Sequence, residues 1–181
     1  MKALSQFLNR IANWKSLLVF VTLYFFFAGY VFKNAEIKIN ELAIKTIGVI
    51  DITFGFNPQQ TLDMVAGYGD AARAYYAQIE MTADVVYPIV YAFLLGIILT
   101  FSVRNKQNNW LNVLPFSTLV FDYAENINIV TLLNTFPQQS MTVAILCEIF
   151  KLLKWLSLGV IVLIIVYGLI MKLLNRSKMP V

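Results

Sequence analysis

The stretch Phe121-Asp122-Tyr123-Ala124-Glu125-Asn126 constrains this chain more than any other, because it lies inside an apolar run from Trp110 to Leu133. A run of that length can cross a bilayer, which takes about 20 mostly apolar residues in helical form. Two carboxyls and an amide in the middle of such a helix are costly in lipid, so they face protein or a watery cavity. The spacing i, i+3, i+4 puts Asp122, Glu125 and Asn126 on one helix face. The rest of the chain must supply what that face meets.

Three more apolar runs accompany this one, over 16–32, 84–103 and 141–171. With 59% hydrophobic residues in 181 and a mean hydropathy of +0.70, the composition is that of a polytopic membrane protein. The expectation is an all-α, single-domain bundle of four transmembrane helices. The absence of histidine removes the commonest general base, imidazole-dependent triads and most zinc sites, so no metal is expected. The lone Cys147 has no partner for an intramolecular disulfide and reads as a small apolar helix residue.

Residues 1–14 carry Leu4, Phe7, Leu8 and Ile11 on one helical face, which suits a short helix at the membrane surface. The first span is bracketed by Lys15 and Lys33, and no small-x-small cleavage site follows it, so it reads as an uncleaved anchor. Residues 34–83 form the one long polar segment, apolar enough in places to pack on the bundle as a cap. Asn57-Pro58 reads as an N-cap with Pro at the first helical position. Gly67 and Gly69 end that helix, and Asp70 can cap the next. Ile50, Ile52, Phe54 and Phe56 alternate as in a strand, but the preceding Leu42, Ile44 and Ile47 follow neither period. Pro88 sits one turn inside the second span and predicts a bend. Residues 104–109 and 134–139 are short turns, and the fourth apolar run exceeds one crossing, so it tilts, bends or projects.

Lys2, Arg10, Lys15, Arg104, Lys106, Lys172, Arg176 and Lys178 fall on one side of these spans with no acid among them. The positive-inside rule then places both termini and the 172–181 tail in the cytoplasm and the cap outside, most simply in a bacterial plasma (inner) membrane. The formal +4 charge follows from this sidedness, and no nucleic-acid partner is implied.

Counting depth from the cytoplasmic ends brings three helices' ionisable groups to a similar outer level. Asp84, with Tyr87 and Tyr91 on its face, starts the second span; Asp122, Glu125 and Asn126 follow in the third; Glu148, Lys151 and Lys154 lie in the fourth. The cap adds Arg73, Tyr75 and Tyr76. Asp84, Asp122, Glu125 and Glu148 outnumber Lys151 and Lys154 by two. Arg73, a shared proton or a bound cation would restore balance. Each group also has a plainer reading: Asp84 as a helix N-cap, Lys154 beside Trp155 as a snorkelling pair, Glu148 and Lys151 satisfying each other, the tyrosines as packing.

In helix number and in acidic residues within the bundle, the layout resembles the EXPERA class of sterol isomerases and related membrane ligand binders. The histidine and tryptophan pattern of the isomerases is absent, and no residue is carried over. The function read from the residues is a carboxyl-rich site opening toward the outer leaflet that binds a membrane lipid or small amphipathic ligand. Lys151 or Lys154 would hold a phosphate head, and Asp84, Tyr87, Tyr91, Asp122, Glu125, Asn126 and Arg73 complete the candidate set. An accessory subunit of a larger membrane complex and a proton- or cation-coupled transport component are the alternatives. No cofactor and no reaction are specified.

Overall fold

The structure is a computed structural model that describes residues 2–103 and 109–176. Most of the expected 104–109 turn, and Lys178 in the tail, lie outside the described residues. Every regular element among the described residues is helical, with no strand. Helix α1 (Lys2–Ile11) is followed, after a break, by one continuous rod made of α2 (Trp14–Phe26), a π turn (Phe27–Val31) and α3 (Phe32–Ala43). Helices α4 (Pro58–Gly67), α5 (Gly69–Met81), α6 (Ala83–Ser102), α7 (Pro115–Thr135) and α8 (Met141–Arg176) complete the chain.

Three helical rods are long and apolar enough to cross a membrane: Trp14–Ala43, Gly69–Ser102 and Met141–Leu174. At 1.5 Å per residue they reach roughly 45–50 Å, well beyond a hydrocarbon core of about 30 Å. The third apolar run, now α7, is long enough but is made too polar by Asp122, Glu125, Asn126 and Asn128. It packs against α5, α6 and α8. Its buried face carries Thr118, Asp122, Glu125 and Asn126, while Val120 and Ile127 are exposed. Polar inside and apolar outside is the pattern a helix in lipid requires.

The polar segment is built largely from the projecting ends of these rods. The α2–α3 rod runs on through the polar residues after Lys33 and stops at Ile44, whose φ of 58° is left-handed. Asn40 Oδ1 accepts from the amides of Ile47 and Gly48 at 2.9 and 3.0 Å and fixes the reversal. Ile50–Ile52 is a single 3-10 turn, so the apolar alternation there is not a strand. Asn57 caps α4 by accepting from Gln60 N at 3.1 Å, with Pro58 at the first position. Asp70 lies within the first turn of α5 and is not its N-cap; its carboxylate binds Arg73 instead. Ile39, Ile50, Leu62, Val65, Tyr68, Ala72 and Tyr76 join Ile129, Leu132, Ala144 and Cys147 in one apolar core. Burial raises the phenol of Tyr68 above its ordinary range, which keeps it a donor to Gly48 O.

At the opposite end, α1 tucks Ser5 and Leu8 against α6 and the Asn109–Val113 turn. Asn112 Nδ2 reaches Ser5 O at 3.3 Å and Thr100 Oγ1 at 3.2 Å. The approach requires glycine at position 96, where an added Cβ would stand 2.9 Å from Asn112 O and 3.2 Å from Leu8. Gly96→Ala should therefore cost about 1–3 kcal/mol by overpacking. Gly159→Ala, whose Cβ would meet nothing within 4 Å, should be neutral or stabilising, and thermal unfolding in detergent compares the two.

Candidate functional site

The sequence triplet on α7 meets α6 on one side and α8 on the other. Pro88 lacks the N–H that would bond the carbonyl of Asp84 one turn earlier. Asn126 Nδ2 donates to that carbonyl at 3.2 Å and to Asp84 Oδ2 at 3.1 Å. A side chain of α7 thus replaces the missing backbone donor of α6. Asp84 is the second residue of α6, and no side chain caps that helix. The N-cap reading of Asp84 gives way to a tie between helices.

On the other side, Lys154 of α8 lies between two α7 carboxylates. Its Nζ stands 2.5 Å from Glu125 Oε2 and 3.4 Å from Asp122 Oδ1. Asp122 Oδ2 accepts from the hydroxyl of Tyr91 at 2.7 Å, which brings in α6. Glu125 Oε1 and Asn126 Oδ1 are buried without a partner, as is Glu80 Oε2 nearby. Glu80 has Asp84, Asp51, Glu125 and Lys154 as its electrostatic neighbours. The snorkelling reading of Lys154 fails, since its side chain is 12% exposed and ion-paired inside the bundle.

These groups border a cavity of about 390 Å³, within the range typical of small-molecule sites. Asp51, Asp84, Asp122, Lys154, Tyr87 and Tyr91 line its polar part, and Leu94, Leu95, Leu158 and Val162 its apolar part. Tyr24 from α2 and Trp155 from α8 flank it. Thr118 forms part of the wall and shares a 2.7 Å hydrogen bond with Ser157. Chemically, this is an amphipathic cleft with an excess of carboxylates over ammonium groups. Among the described residues no cluster of acidic or thiol groups is arranged to hold a metal ion.

Of the sequence candidates, Asp84, Tyr87, Tyr91 and Asp122 line the cavity, and Glu125 and Asn126 support it from behind. Lys151 and Arg73 do not belong to it. Lys151 is fully committed to Glu148 Oε1 at 2.5 Å and Thr53 Oγ1 at 2.6 Å. Glu148 also accepts from Thr61 Oγ1 at 2.7 Å and from the Asn57 amide at 3.0 Å, pinning α4 to α8. Arg73 binds Asp70, donates to Val65 O at 3.0 Å and stacks 3.8 Å from the Phe136 ring centroid. Neither cation is free for a phosphate head.

Asp51, Tyr24 and Trp155 enter the site without having been singled out for it, and Lys154, expected to hold a phosphate head, enters it as the partner of two carboxylates. For Lys154 a signal exists: α7 and α8 form an antiparallel hairpin, and Asp122 and Lys154 are equally far from Gln138 in its turn. Asp51 has none, because a 3-10 turn with no periodicity carries it in. Compared with protein-family models, with curated proteins and with solved structures, the chain finds no match.

The α6–α7 tie makes a specific prediction. Asn126→Ala should cost about 1–3 kcal/mol, because it strips from a buried carbonyl the donor that stands in for the missing N–H of Pro88. Restoring the backbone N–H with Pro88→Ala should make the same Asn126 change cheaper. A double-mutant cycle followed by thermal unfolding reads the coupling, and strictly additive effects would rule the repair out.

Proposed function

We propose that this chain is a four-span membrane protein whose carboxyl-rich cleft binds a lipid or small amphipathic ligand. The cavity carries this reading: one wall joins Asp51, Asp84 and Asp122 to an apolar floor of Leu94, Leu95, Leu158 and Val162. α7 supplies the fourth span, admitted to lipid because its polar face is covered by α5, α6 and α8. Val162 is exposed at the rim, so an acyl or ring moiety can enter from the bilayer side. Basic residues without acidic neighbours at the α1 and α8 ends support cytoplasmic termini and a cleft facing the outer leaflet.

Two measurements test this. Native mass spectrometry after gentle extraction should find a retained amphiphile, and Val162→Trp, which fills the floor at a lipid-exposed position, should release it without unfolding the protein. Extraction of the wild type with no ligand but a fixed set of partner subunits would favour the accessory reading. For topology, native Cys147 is fully buried and provides a silent background. Phe54→Cys, at a position 88% exposed, should label with an impermeant maleimide in intact cells, and Lys2→Cys only after permeabilisation. The reverse pattern would invert the site.

A further inference from the structure

Resting on that reading, we infer that the cleft selects an amphiphile with a cationic head, an ammonium or quaternary amine, held among Tyr24, Tyr87, Tyr91, Asp51 and Asp84. The charge inventory is one-sided. Three carboxyls line the cavity, and the sole ammonium among its lining residues is Lys154, already shared by Asp122 and Glu125. Asp84 is 6% exposed, and of its two carboxylate oxygens Oδ2 alone is hydrogen-bonded, so Oδ1 is left to whatever occupies the cavity. Asp51 has one oxygen engaged, as acceptor from Tyr76 at 2.9 Å. Behind them Glu80 and Glu125 each keep a buried oxygen with no partner.

An anionic head would enter this field without a counter-ion, since Lys151 and Arg73 are committed elsewhere. A neutral head would leave the buried Asp84 and the partly buried Asp51 without a counter-charge unless each held a proton, a requirement that a cationic head removes. A cation is favoured twice. The carboxylates attract it, and ring faces attract it through their quadrupoles, most of all when it is a weakly hydrated ammonium. The rings are present: Tyr24 and Tyr87 lie 5.6 Å apart, and Tyr87 and Tyr91 meet edge-on at 5.5 Å. Carboxyls beside three tyrosine rings in the lining, opening onto an aliphatic floor, form a site for an ammonium with a hydrocarbon tail.

The test is a competition in neutral detergent micelles, read by native mass spectrometry, among three dodecyl probes with trimethylammonium, hydroxyl or sulfate heads. Wild-type protein should retain the trimethylammonium probe over the other two by about tenfold, the scale of a partly desolvated cation–π contact. Asp51→Asn keeps an acceptor for Tyr76 and should erase most of this preference while the alcohol is still held; Tyr87→Leu should reduce it. Should Asp84→Asn misfold, these two variants still decide the matter. Equal retention of the three heads, each released by Val162→Trp, would overturn the ammonium inference and leave the amphiphile cleft standing. Preference for sulfate would overturn it as well. Retention of none would overturn the cleft itself.

Discussion

Everything near the middle of this protein depends on one ammonium, that of Lys154, lying between two carboxylates that could not otherwise be buried. Taking an ion out of water costs several kcal/mol even after relaxation, and only close, well-placed counter-charges offset it. The triad fixes the register of the α7–α8 hairpin, because a shift of one residue would turn Lys154 away from Asp122 and Glu125. Through Tyr91 the same cluster reaches α6, and through Asn126 it reaches the carbonyl that Pro88 leaves open. The three central helices are therefore keyed to each other by polar contacts, where apolar packing alone would allow several registers. Removing a single member of such a set costs about 3–5 kcal/mol, since the others remain buried and unpaired.

A second ionic node, Glu148, does a different job at the end of the bundle. It gathers Lys151, Thr61 and the Asn57 amide, so that the start of α4 is fastened to α8. Its charges satisfy each other inside a dense apolar core, with few loose atoms. The Lys154 node differs in that it borders a cavity and leaves Glu125 Oε1 without a partner. The contrast separates a fastening from a candidate site, although each pairs a lysine of α8 with a glutamate.

Much of the architecture was legible because hydrophobicity in long helices is a strong signal. The all-helical character and the long apolar runs followed from composition and run length, and the Asn57-Pro58 helix start from cap chemistry. The pairing of the charges was not. Depth counted from the cytoplasmic ends brought the ionisable groups of three helices to a similar outer level without saying which of them meet, whereas symmetry about the α7–α8 turn places Lys154 beside Asp122. Counting from the turn succeeds because two helices leaving a short connection stay in step, while unknown tilts accumulate from distant ends. Arg73 shows the converse limit. Its sequence offered a free cation near the site, but Asp70, one turn before it, and the distant Phe136 ring take it first. Local ion pairs and long-range aromatic contacts decide such cases, and only the former can be read from spacing.

The polar face of α7 also bears on how this chain is made. On its own, a helix with an aspartate and a glutamate near its centre enters a bilayer poorly, at about 2.5–3.5 kcal/mol for each aspartate-like charge. α8 follows after only a short turn and is strongly apolar, and it carries the lysine that pairs with both acids. In the four-span arrangement the two helices would partition together as a preformed hairpin, and α7 would wait at the translocon until α8 has emerged. A chain stalled before Lys154 has left the ribosome would keep α7 outside the lipid, whereas one whose α8 has emerged would release a hairpin that the bilayer accepts.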